Sequence, residues 1–377
     1  EDITTKVESV VQGSGGEMER PDMFLAYRDM LQEIRAVSED ALLDFRTCYT
    51  TEDLDGYYAD FLAEGEFGDA LYIMPASKST ELLFMNQTVL DAFFRENEAY
   101  SAADLQTWES MAEMAEAFYH WTDEKTSQPG DGKALIGIDN FSNYFIVQSN
   151  ALGSPIYETA DDGSVTFHLD KAHVKALFLN YYIPYTKGYY GGSAKYRSDD
   201  LRQDTLYGYV GSLASVAYFP QTVYREDGSE MEITMGIYPY PYFRGGEKTV
   251  IQQGAGIAAL DGGEEKNRAI ADFIKWISED KGVVYASMLS YMPASKTGVE
   301  AGNWDLIEDE NVRKAVTIGV EQVRDYRMVR GFDFEGAYEV RMNLEDYFKL
   351  CLAEGRKEYQ SYLRDGMTAE EAEAAMQ

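Results

Sequence analysis

The sequence predicts an α/β protein with more than one hydrophobic core. Its 377 residues exceed the length of ~250–300 residues at which a single core usually stops growing. Hydrophobic residues make up 45% of the chain and aromatic residues 14%, which is typical of a folded globular protein. Short apolar segments alternate with longer segments of helical periodicity, and this alternation indicates α/β architecture. We find no internal repeat of fixed period, so a solenoid or propeller is not expected.

Apolar runs bounded by turn residues predict the strands. In chain order, the predicted strands are Met23–Ala26, Leu71–Pro75, Leu82–Met85, Leu135–Ile138, Val165–Phe167, Val216–Phe219 and Met235–Tyr238. A hairpin-like turn is predicted at 161–164, before the strand that begins at Val165. The alternating prolines of Tyr238–Pro241 favour an extended path after the last of these strands.

Apolar residues that recur with a period near 3.6 predict the helices. The predicted helices pass through Val7, Leu31, Leu90, Leu177, Trp108–Phe118, Ala269–Ile277, Val312–Val323, Val340–Leu352 and Ala369–Met376. Thr107 is a favourable cap for the helix that begins at Trp108, and Glu109 suits its first turn. The chain begins inside a predicted helix, so we expect that residues before it are missing.

The charge of the chain argues against nucleic acid as a partner. There are 66 acidic and 33 basic residues, which give a net charge of −33. Binding of phosphate backbones and anionic lipids relies on clustered Lys and Arg, so such partners are not expected. No apolar run approaches the roughly 20 residues that span a membrane. An initiator Met, a basic start and an apolar signal core are also lacking, so any targeting segment is absent from the sequence.

Motifs for cofactor or metal chemistry are weak. Residues Gly254–Ala259 match a loose GxGxxA, but the turn Asp261–Gly263 follows where a dinucleotide fingerprint requires a helix. The three histidines, His120, His168 and His173, lack the spacing of helix-borne metal ligands, and HExxH, GxSxG and Walker motifs are absent. We therefore predict no cofactor, no metal and no catalytic residue. Carboxylates are nevertheless so numerous that a catalytic pair can be neither located nor excluded.

Cysteines and aromatic residues leave alternatives open. Cys48 and Cys351 are too far apart in sequence for a zinc knuckle or a CxxC motif. They allow one long-range disulfide, although two buried thiols are the favoured interpretation. The chain also has 29 tyrosines and four tryptophans, a composition that suits stacking on polyhydroxy ligands. The cluster Tyr238–Phe243 is the first candidate for such stacking, and ordinary packing is the alternative.

The most specific pattern lies in residues 251–295, which read IQQGAGIAALDGGEEKNRAIADFIKWISEDKGVVYASMLSYMPAS. It predicts a buried turn, a short strand, an amphipathic helix, a second short helix and a Tyr-Met-Pro turn. This order resembles the return segment of the family 1 extracellular solute-binding proteins that supply ABC importers. Four further stretches resemble the same family: Pro21–Tyr27, Met74–Asn86, Thr107–Glu109 and Gly211–Ala214.

The resemblance implies a class II two-lobed fold of the periplasmic-binding-protein type, with a ligand cleft between the lobes. Residues 1–81 plus 251–291 would form the N-terminal lobe, and the resemblance implies that the first strand and helix of this lobe are missing from the chain. Residues 82–250 plus 292–377 would form the C-terminal lobe. The resemblance also implies a secreted protein, either periplasmic or anchored to the cell surface by lipid, that works as a monomer with an ABC transporter permease.

Within the family, the closest pattern is that of the glycerol-3-phosphate-binding branch. Its ligand residues correspond here to Ser79, Ser212, Gly254, Tyr291 and Arg341. An arginine is suited to holding a phosphate or carboxylate through two hydrogen bonds, and hydroxyls and backbone N–H groups complete such a shell. Two simpler interpretations remain, because Ser79 could form only a turn and Arg341 could only pair with Glu345.

Tyr27 and Arg28 complete the predicted site, since the strand that ends there faces the cleft in the family. Arg28 stands where the glycerol-3-phosphate branch has an acidic residue. It would either add a second positive contact to the ligand or pair with Asp29 or Glu33.

The functional hypothesis is delivery of a small polar solute, with glycerol 3-phosphate, a glycerophosphodiester or a related anionic polyol as the leading ligand. An oligosaccharide is the alternative within the family. The alternatives from other classes are a carbohydrate-active hydrolase and, more weakly, a scaffold that binds proteins.

Overall fold

The computed structural model describes residues 3–14, 20–160, 164–334 and 336–377. The helices are α1 (Ile3–Val11), α2 (Arg28–Ser38), α3 (Thr51–Asp55), α4 (Ala59–Ala63), α5 (Gln87–Glu96), α6 (Trp108–Asp123), α7 (Phe141–Ala151), α8 (Lys171–Lys187), α9 (Arg197–Arg202), α10 (Glu264–Lys275), α11 (Gly282–Met288), α12 (Lys296–Ala301), α13 (Glu310–Asp325), α14 (Ala337–Arg364) and α15 (Ala369–Met376). Across these described ranges, no helix is both long and apolar enough to cross a membrane.

The strands are short and lie between the helices. They are β1 (Met23–Ala26), β2 (Glu66–Phe67), β3 (Ala70–Leu71), β4 (Ser77–Lys78), β5 (Glu81–Asn86), β6 (Gly137–Ile138), β7 (Tyr157–Thr159), β8 (Val165–Phe167), β9 (Gly208–Ser212), β10 (Thr222–Tyr224), β11 (Glu230–Glu232), β12 (Met235–Tyr238), β13 (Thr249–Ile251), β14 (Gly256–Ala259), β15 (Met292–Pro293) and β16 (Arg327–Val329). Short 3-10 turns join several of these elements, and a π-helical turn, Trp276–Asp280, follows α10.

A four-stranded sheet of order β12-β5-β9-β6 lies in the largest core. Every residue of β5 is buried, because this strand has neighbours on both edges and helices packed on its faces. Helix α6 buries Trp108, Met111 and Met114 beside the sheet, and Thr107 caps it by accepting a hydrogen bond from the Ser110 N–H. The register of β5 and β9 places Glu81 opposite Ser212.

Two smaller cores join segments that are distant in sequence. Strands β1 and β14 pair antiparallel, with Phe24 opposite Ala258. One core packs Phe45 and Met74 against Ile270, and the other includes Leu31 and Ala258. The early segment and the return segment therefore share cores, as the family resemblance implies. The exact lobe limits, at residues 81, 251 and 291, remain a prediction.

Three stretches of chain run side by side between the large core and the smaller cores. Strand β4 pairs antiparallel with β15, and Ser79 exchanges two backbone hydrogen bonds of 2.9 Å with Gln253. Residues Ser77, Lys78, Ser79 and Thr80 are all buried although all are polar. Because buried polar groups need partners, hydrogen bonds help to hold these three stretches together. We call this part of the chain the crossing.

Three predicted strands differ from the structure. The prediction for Val216–Phe219 is wrong, since Leu213–Tyr218 form a 3-10 helix. Leu213 and Val216 are both buried, and this spacing of three fits a 3-10 turn against α13 better than a strand. The predicted strands at 71–75 and 135–138 are reduced to β3 and β6 plus isolated bridges, because their partners run beside them for only one or two residues.

The cysteine interpretations are also corrected. Cys48 and Cys351 are free thiols, so the disulfide is not formed. Two buried thiols are also not found, because Cys351 is exposed and Cys48 is only partly buried. On α14, Phe348 and Leu352 belong to the buried face of the helix. Cys351 is next to Leu352 in sequence and therefore points away from that face, towards solvent.

The predicted hairpin turn at 161–164 falls mainly on 161–163, which lie outside the described residues. The strands on either side of it, β7 and β8, pair antiparallel. The last long helix, predicted over Val340–Leu352, extends in the structure over Ala337–Arg364.

Candidate functional site

A cavity of about 450 Å³ is lined by segments that are far apart in the sequence. Six of the seven predicted site residues line it: Tyr27, Arg28, Ser212, Gly254, Tyr291 and Arg341. The seventh, Ser79, is fully buried behind the cavity wall and does not line it. Its hydroxyl lies 3.1 Å from the Ser212 hydroxyl, so it contacts the wall directly.

Gly254 occupies a position that only glycine fits without strain. Its φ is +94°, in the left-handed region. A Cβ atom there would lie 3.1 Å from Cε2 of Tyr291 and 3.4 Å from the Ser79 nitrogen. The glycine therefore lets the return turn approach both the tyrosine ring and the crossing strand.

Two tyrosines present ring surface to the cavity. Tyr27 is the residue before α2 and stays half-exposed, and Tyr291 lies directly before β15. Desolvation in the cleft raises the pKa of both hydroxyls above the ordinary tyrosine value. Both therefore remain protonated at neutral pH and can donate a hydrogen bond.

Arg28 is paired with protein groups. Its guanidinium donates to the carbonyl oxygens of Glu64 and Glu66, and it lies 4.1 Å from the ring centroid of Phe67. Its Nε lies 3.8 Å from Oδ2 of Asp333, on the loop after β16. Desolvation, with Arg330 as the next cause, lowers the pKa of Arg28. The structure thus gives Arg28 the acidic partner Asp333, rather than the predicted choice of Asp29 or Glu33.

Asp333 is shared by two arginines. Nε of Arg330 lies 3.7 Å from the same Oδ2 atom, and Thr159 donates to Oδ1 at 2.9 Å. Arg330 also donates to the carbonyl of Ala63 at 3.0 Å. Because Ala63 ends α4 and Arg330 follows β16, this contact and the Arg28–Asp333 pair connect the two sides of the cavity.

Arg341 is differently placed. It lies in the first turns of α14 and its Nη2 is 3.4 Å from Oδ1 of Asn143, a neutral amide. Among the described residues, no carboxylate forms an ion pair with Arg341. The simpler interpretation of pairing with Glu345 is not what the structure has. Glu345 accepts a hydrogen bond from the Ser142 N–H at 2.7 Å and lies 3.2 Å from Lys349.

A buried ion pair supports the floor of the cavity. The ammonium group of Lys78, which is 1% exposed, contacts Oε2 of Glu64 and donates to the carbonyl of Gly254 at 2.7 Å. Gln252 donates to the same Glu64 oxygen at 2.7 Å. Glu64 lies in the early part of the chain and Lys78 lies in the crossing. Because Lys78 also binds the carbonyl of Gly254, this network holds the turn at Gly254 against both segments.

Several cavity residues were missed by the sequence analysis. They are Asp29, Glu64, Asn143, Gln252, Gln253, Arg330, Asp333 and Tyr338. The pattern Arg330–Asp333, a charged loop directly after an apolar strand, was an available signal. Asn143 lies in the first turn of α7, which Asn140 caps because its side chain accepts a hydrogen bond of 2.9 Å from the Asn143 N–H. That capping pattern locates a helix start but carries no signal for a ligand.

The aromatic cluster Tyr238–Phe243 lies away from this cavity. Tyr240 is buried against Trp108, with ring centroids 6.1 Å apart, and Phe243 is also buried. Packing is therefore the interpretation that holds for this cluster. The loose GxGxxA motif continues into strand β14, antiparallel to β1, so it lacks the helix that a dinucleotide site requires. Within the described ranges, no group of three His, Cys, Asp or Glu side chains is placed to hold a metal ion.

The fold and the cavity together define a two-lobed binding protein with an interlobe cleft. Residues 1–312 match the model of the bacterial extracellular solute-binding protein family, and the chain belongs to that family. Proteins of this family bind small molecules, deliver them to the permeases of ABC importers and are not enzymes. The hydrolase hypothesis thus has no support from the family. A comparison with curated proteins found no match.

Three solved structures illustrate the likeness in fold. UgpB from Mycobacterium tuberculosis in complex with glycerophosphocholine is 18% identical, with a TM-score of 0.63 over 97% of this chain and 89% of that one. The cyclic alpha-maltosyl-1,6-maltose binding protein of Arthrobacter globiformis is 14% identical, with a TM-score of 0.64 over 99% and 87%. A family 1 solute-binding protein from Alicyclobacillus acidocaldarius is 12% identical, with a TM-score of 0.67 over 99% and 87%.

Proposed function

We propose that this protein captures a small anionic polyol, either glycerol 3-phosphate or a glycerophosphodiester, and delivers it to the permease of an ABC importer. The observation that carries the proposal is the position of Arg341. Its guanidinium lines the cavity beside a neutral amide at 3.4 Å, so its charge is available to an anion. Guanidinium groups favour phosphate because two parallel hydrogen bonds form to the anion.

The other predicted site residues have complementary roles in this proposal. The hydroxyl of Ser212 would donate a hydrogen bond to the anion. The hydroxyl of Ser79, 3.1 Å from that of Ser212 on the side away from the cavity, would fix its position. Tyr27 and Tyr291 would contact the polyol through their ring faces and hydroxyls. The return turn at Gly254 would present backbone N–H groups. Arg28 would complete the wall as the partner of Asp333 rather than as the main anion contact.

Ligand capture would proceed by closure of the lobes about the crossing. We propose lobes of residues 1–81 plus 251–291 and of residues 82–250 plus 292–377. A ligand that contacts Tyr291 on one side and Arg341 on the other has more contacts in the closed form, and this difference shifts the equilibrium towards closure. The protein would act as a monomer outside the cytoplasmic membrane, either in the periplasm or on a lipid anchor.

An oligosaccharide is the second candidate ligand. The rings of Tyr27, Tyr291, Phe332 and Tyr338 line the cavity, and aromatic rings stack well on sugar faces. One of the similar structures is named as a binding protein for a cyclic maltose derivative. This alternative makes no use of the available charge of Arg341, and for that reason we rank it second.

Isothermal titration calorimetry separates the two candidates. The purified protein should bind a glycerophosphodiester such as glycerophosphoglycerol, and Arg341→Ala should remove most of that affinity. A neutral maltooligosaccharide is the matched probe without charge, and it should bind weakly or not at all. Tight binding of the neutral sugar, unaffected by Arg341→Ala, would overturn the proposal in favour of the oligosaccharide.

A further inference from the structure

A buried carboxyl group lies directly behind the wall that carries Arg341 and Ser212. Glu81, the first residue of β5, is 2% exposed and lies opposite Ser212 in the strand register. Its Oε1 accepts a hydrogen bond of 2.7 Å from Nδ2 of Asn143. Its Oε2 is buried and has no hydrogen-bond partner among the described residues.

This arrangement orients Asn143. Because the Asn143 amide donates through Nδ2 to Glu81, its Oδ1 must point the other way, where Nη2 of Arg341 lies at 3.4 Å. Asn143 lines the cavity and is almost fully buried, so it has little freedom to turn. A chain of contacts therefore runs from Glu81 through Asn143 to the guanidinium at the cavity surface.

The titratable neighbours of Glu81 are mostly not basic. Arg341 and Glu345 approach it from α14, Asp139 from the loop after β6, and Tyr240 from the loop after β12. Glu345 and Asp139 are carboxyl groups, Tyr240 is a neutral phenol, and only Arg341 carries a positive charge. Burial, as the first cause, raises the pKa of Glu81 to about 8. An ionised carboxylate with one oxygen unbonded in this place costs more free energy than a neutral acid does.

We propose that Glu81 is a positioning residue that acts as a neutral acid, holding Asn143 and Arg341 for an anionic ligand and weakening anion binding when it ionises. The inference rests on the proposed function, because it concerns the same cavity. The physical reason is electrostatic. A proton on Glu81 leaves Arg341 as the dominant charge at the wall, and its loss places a negative charge behind the guanidinium.

The probe that tests this inference is glycerophosphoglycerol, studied by isothermal titration calorimetry between about pH 6.5 and pH 9. A phosphodiester keeps one charge over this range, whereas a phosphate monoester titrates near ~6 and would confuse the result. No histidine lines the cavity within the described part of the chain, and burial raises the pKa of Tyr27 and Tyr291, two of the tyrosines that line it. The part of the pH dependence that disappears in Glu81→Gln therefore reports on Glu81.

The affinity of the wild-type protein should fall by up to about tenfold from pH 6.5 to pH 9, because binding favours the protonated form. In Glu81→Gln, which keeps an acceptor for Asn143 but cannot ionise, the affinities at the two pH values should match each other. Asp139→Asn, the control for a neighbouring, partly buried carboxyl group, should still lose affinity as the pH rises over this range. A wild-type affinity that does not change with pH, or a dependence that persists in Glu81→Gln, would overturn the inference.

Two measurements keep the outcomes distinct. Absence of phosphodiester binding by the wild-type protein at pH 6.5 means that the proposed function has failed. The protonation of Glu81 can then still be followed by carbon-13 NMR of glutamate-labelled wild-type protein, which requires no ligand. A carboxyl resonance, assigned to Glu81 by its loss in Glu81→Gln, should titrate near pH 8. Its titration near the ordinary glutamate value would overturn the inference.

Discussion

The two arginines on opposite sides of the cavity are in contrasting situations. Arg28 is held by two carbonyl oxygens, the ring of Phe67 and the carboxylate of Asp333. Arg341 is held by one amide oxygen at 3.4 Å, and the carboxyl group behind that amide has its pKa raised to about 8. The same residue type is therefore paired with a carboxylate on one wall, whereas on the other wall it forms no ion pair among the described residues. The difference shows that the partners of a charge, rather than its presence in a cavity, indicate its function.

The largest effect on stability is expected at the buried ion pair Lys78–Glu64, which supports the floor of the cavity. Lys78→Met removes the cation but leaves the carboxylate of Glu64 in the cavity floor, and breaking a buried pair in this way costs about 3–5 kcal/mol. Chemical denaturation should show a loss of this size in the free energy of unfolding.

The matched control for that prediction is Lys266→Met. Lys266 pairs with Asp22 at 2.8 Å, but the two side chains are 52% and 56% exposed. Exposed pairs contribute about 0–1 kcal/mol, so little should change. Equal losses in the two variants would show that the buried network does not hold the crossing.

The proposed neutral state of Glu81, behind the wall that carries Arg341, should be visible in the pH dependence of stability. The pKa of Glu81 is about 8 in the folded protein and its ordinary value is 4.5. Between these values the unfolded chain is ionised and the folded protein keeps its proton, so wild-type stability falls as pH rises through this window.

Glu81→Gln does not titrate, so the variant should gain about 1.4 kcal/mol per pH unit relative to the wild type across that window. Urea denaturation at several pH values measures the difference. If the difference in free energy of unfolding between the two proteins stayed constant from about pH 5 to pH 8, the interpretation that Glu81 is neutral would be contradicted.

Asp333→Asn should leave Arg28, like Arg341, without a carboxylate partner. The substitution removes the carboxylate shared by Arg28 and Arg330 but keeps an oxygen that accepts from Thr159. The freed positive charge should improve glycerophosphodiester affinity by about 1 kcal/mol, roughly fivefold, and added salt should reduce this gain.

Asp22→Asn is the control for Asp333→Asn, because it removes one negative charge from an exposed pair away from the cavity. Calorimetry should show no change in affinity for this variant. An unchanged affinity in Asp333→Asn as well would mean that Arg28 is not restrained by its partner.

Much of the fold follows from local sequence patterns. The helices with a clear apolar face, such as α6 and α13, were predictable from their periodicity, and α6 also has the predicted cap Thr107. The strand prediction for Val216–Phe219 is wrong because most of this segment belongs to the 3-10 helix Leu213–Tyr218, and a period of three in so short a segment is easily taken for a strand. The bounds of β3 and β6 depend on partners distant in the sequence, and a local pattern does not contain that information.

The candidate site was predictable only where a motif carries it. The Tyr-Met-Pro turn and the Gly-Ser-Leu loop led to Tyr291 and Ser212, which both line the cavity. Asn143 and Glu81 belong to the same region, but no sequence motif gives either of them a ligand-related role. Their importance comes from partners more than sixty residues away, as in the 2.7 Å contact of Asn143 with Glu81, and folding alone brings these partners together.

The most direct test of this account compares the two arginines in one experiment. Binding of glycerophosphoglycerol to Arg341→Ala and Arg28→Ala should be measured by calorimetry under identical conditions, after denaturation has shown that both variants are folded. The account predicts a loss of about 2–5 kcal/mol in binding free energy for Arg341→Ala and less than about 1 kcal/mol for Arg28→Ala. Equal losses, or a larger loss for Arg28→Ala, would contradict it.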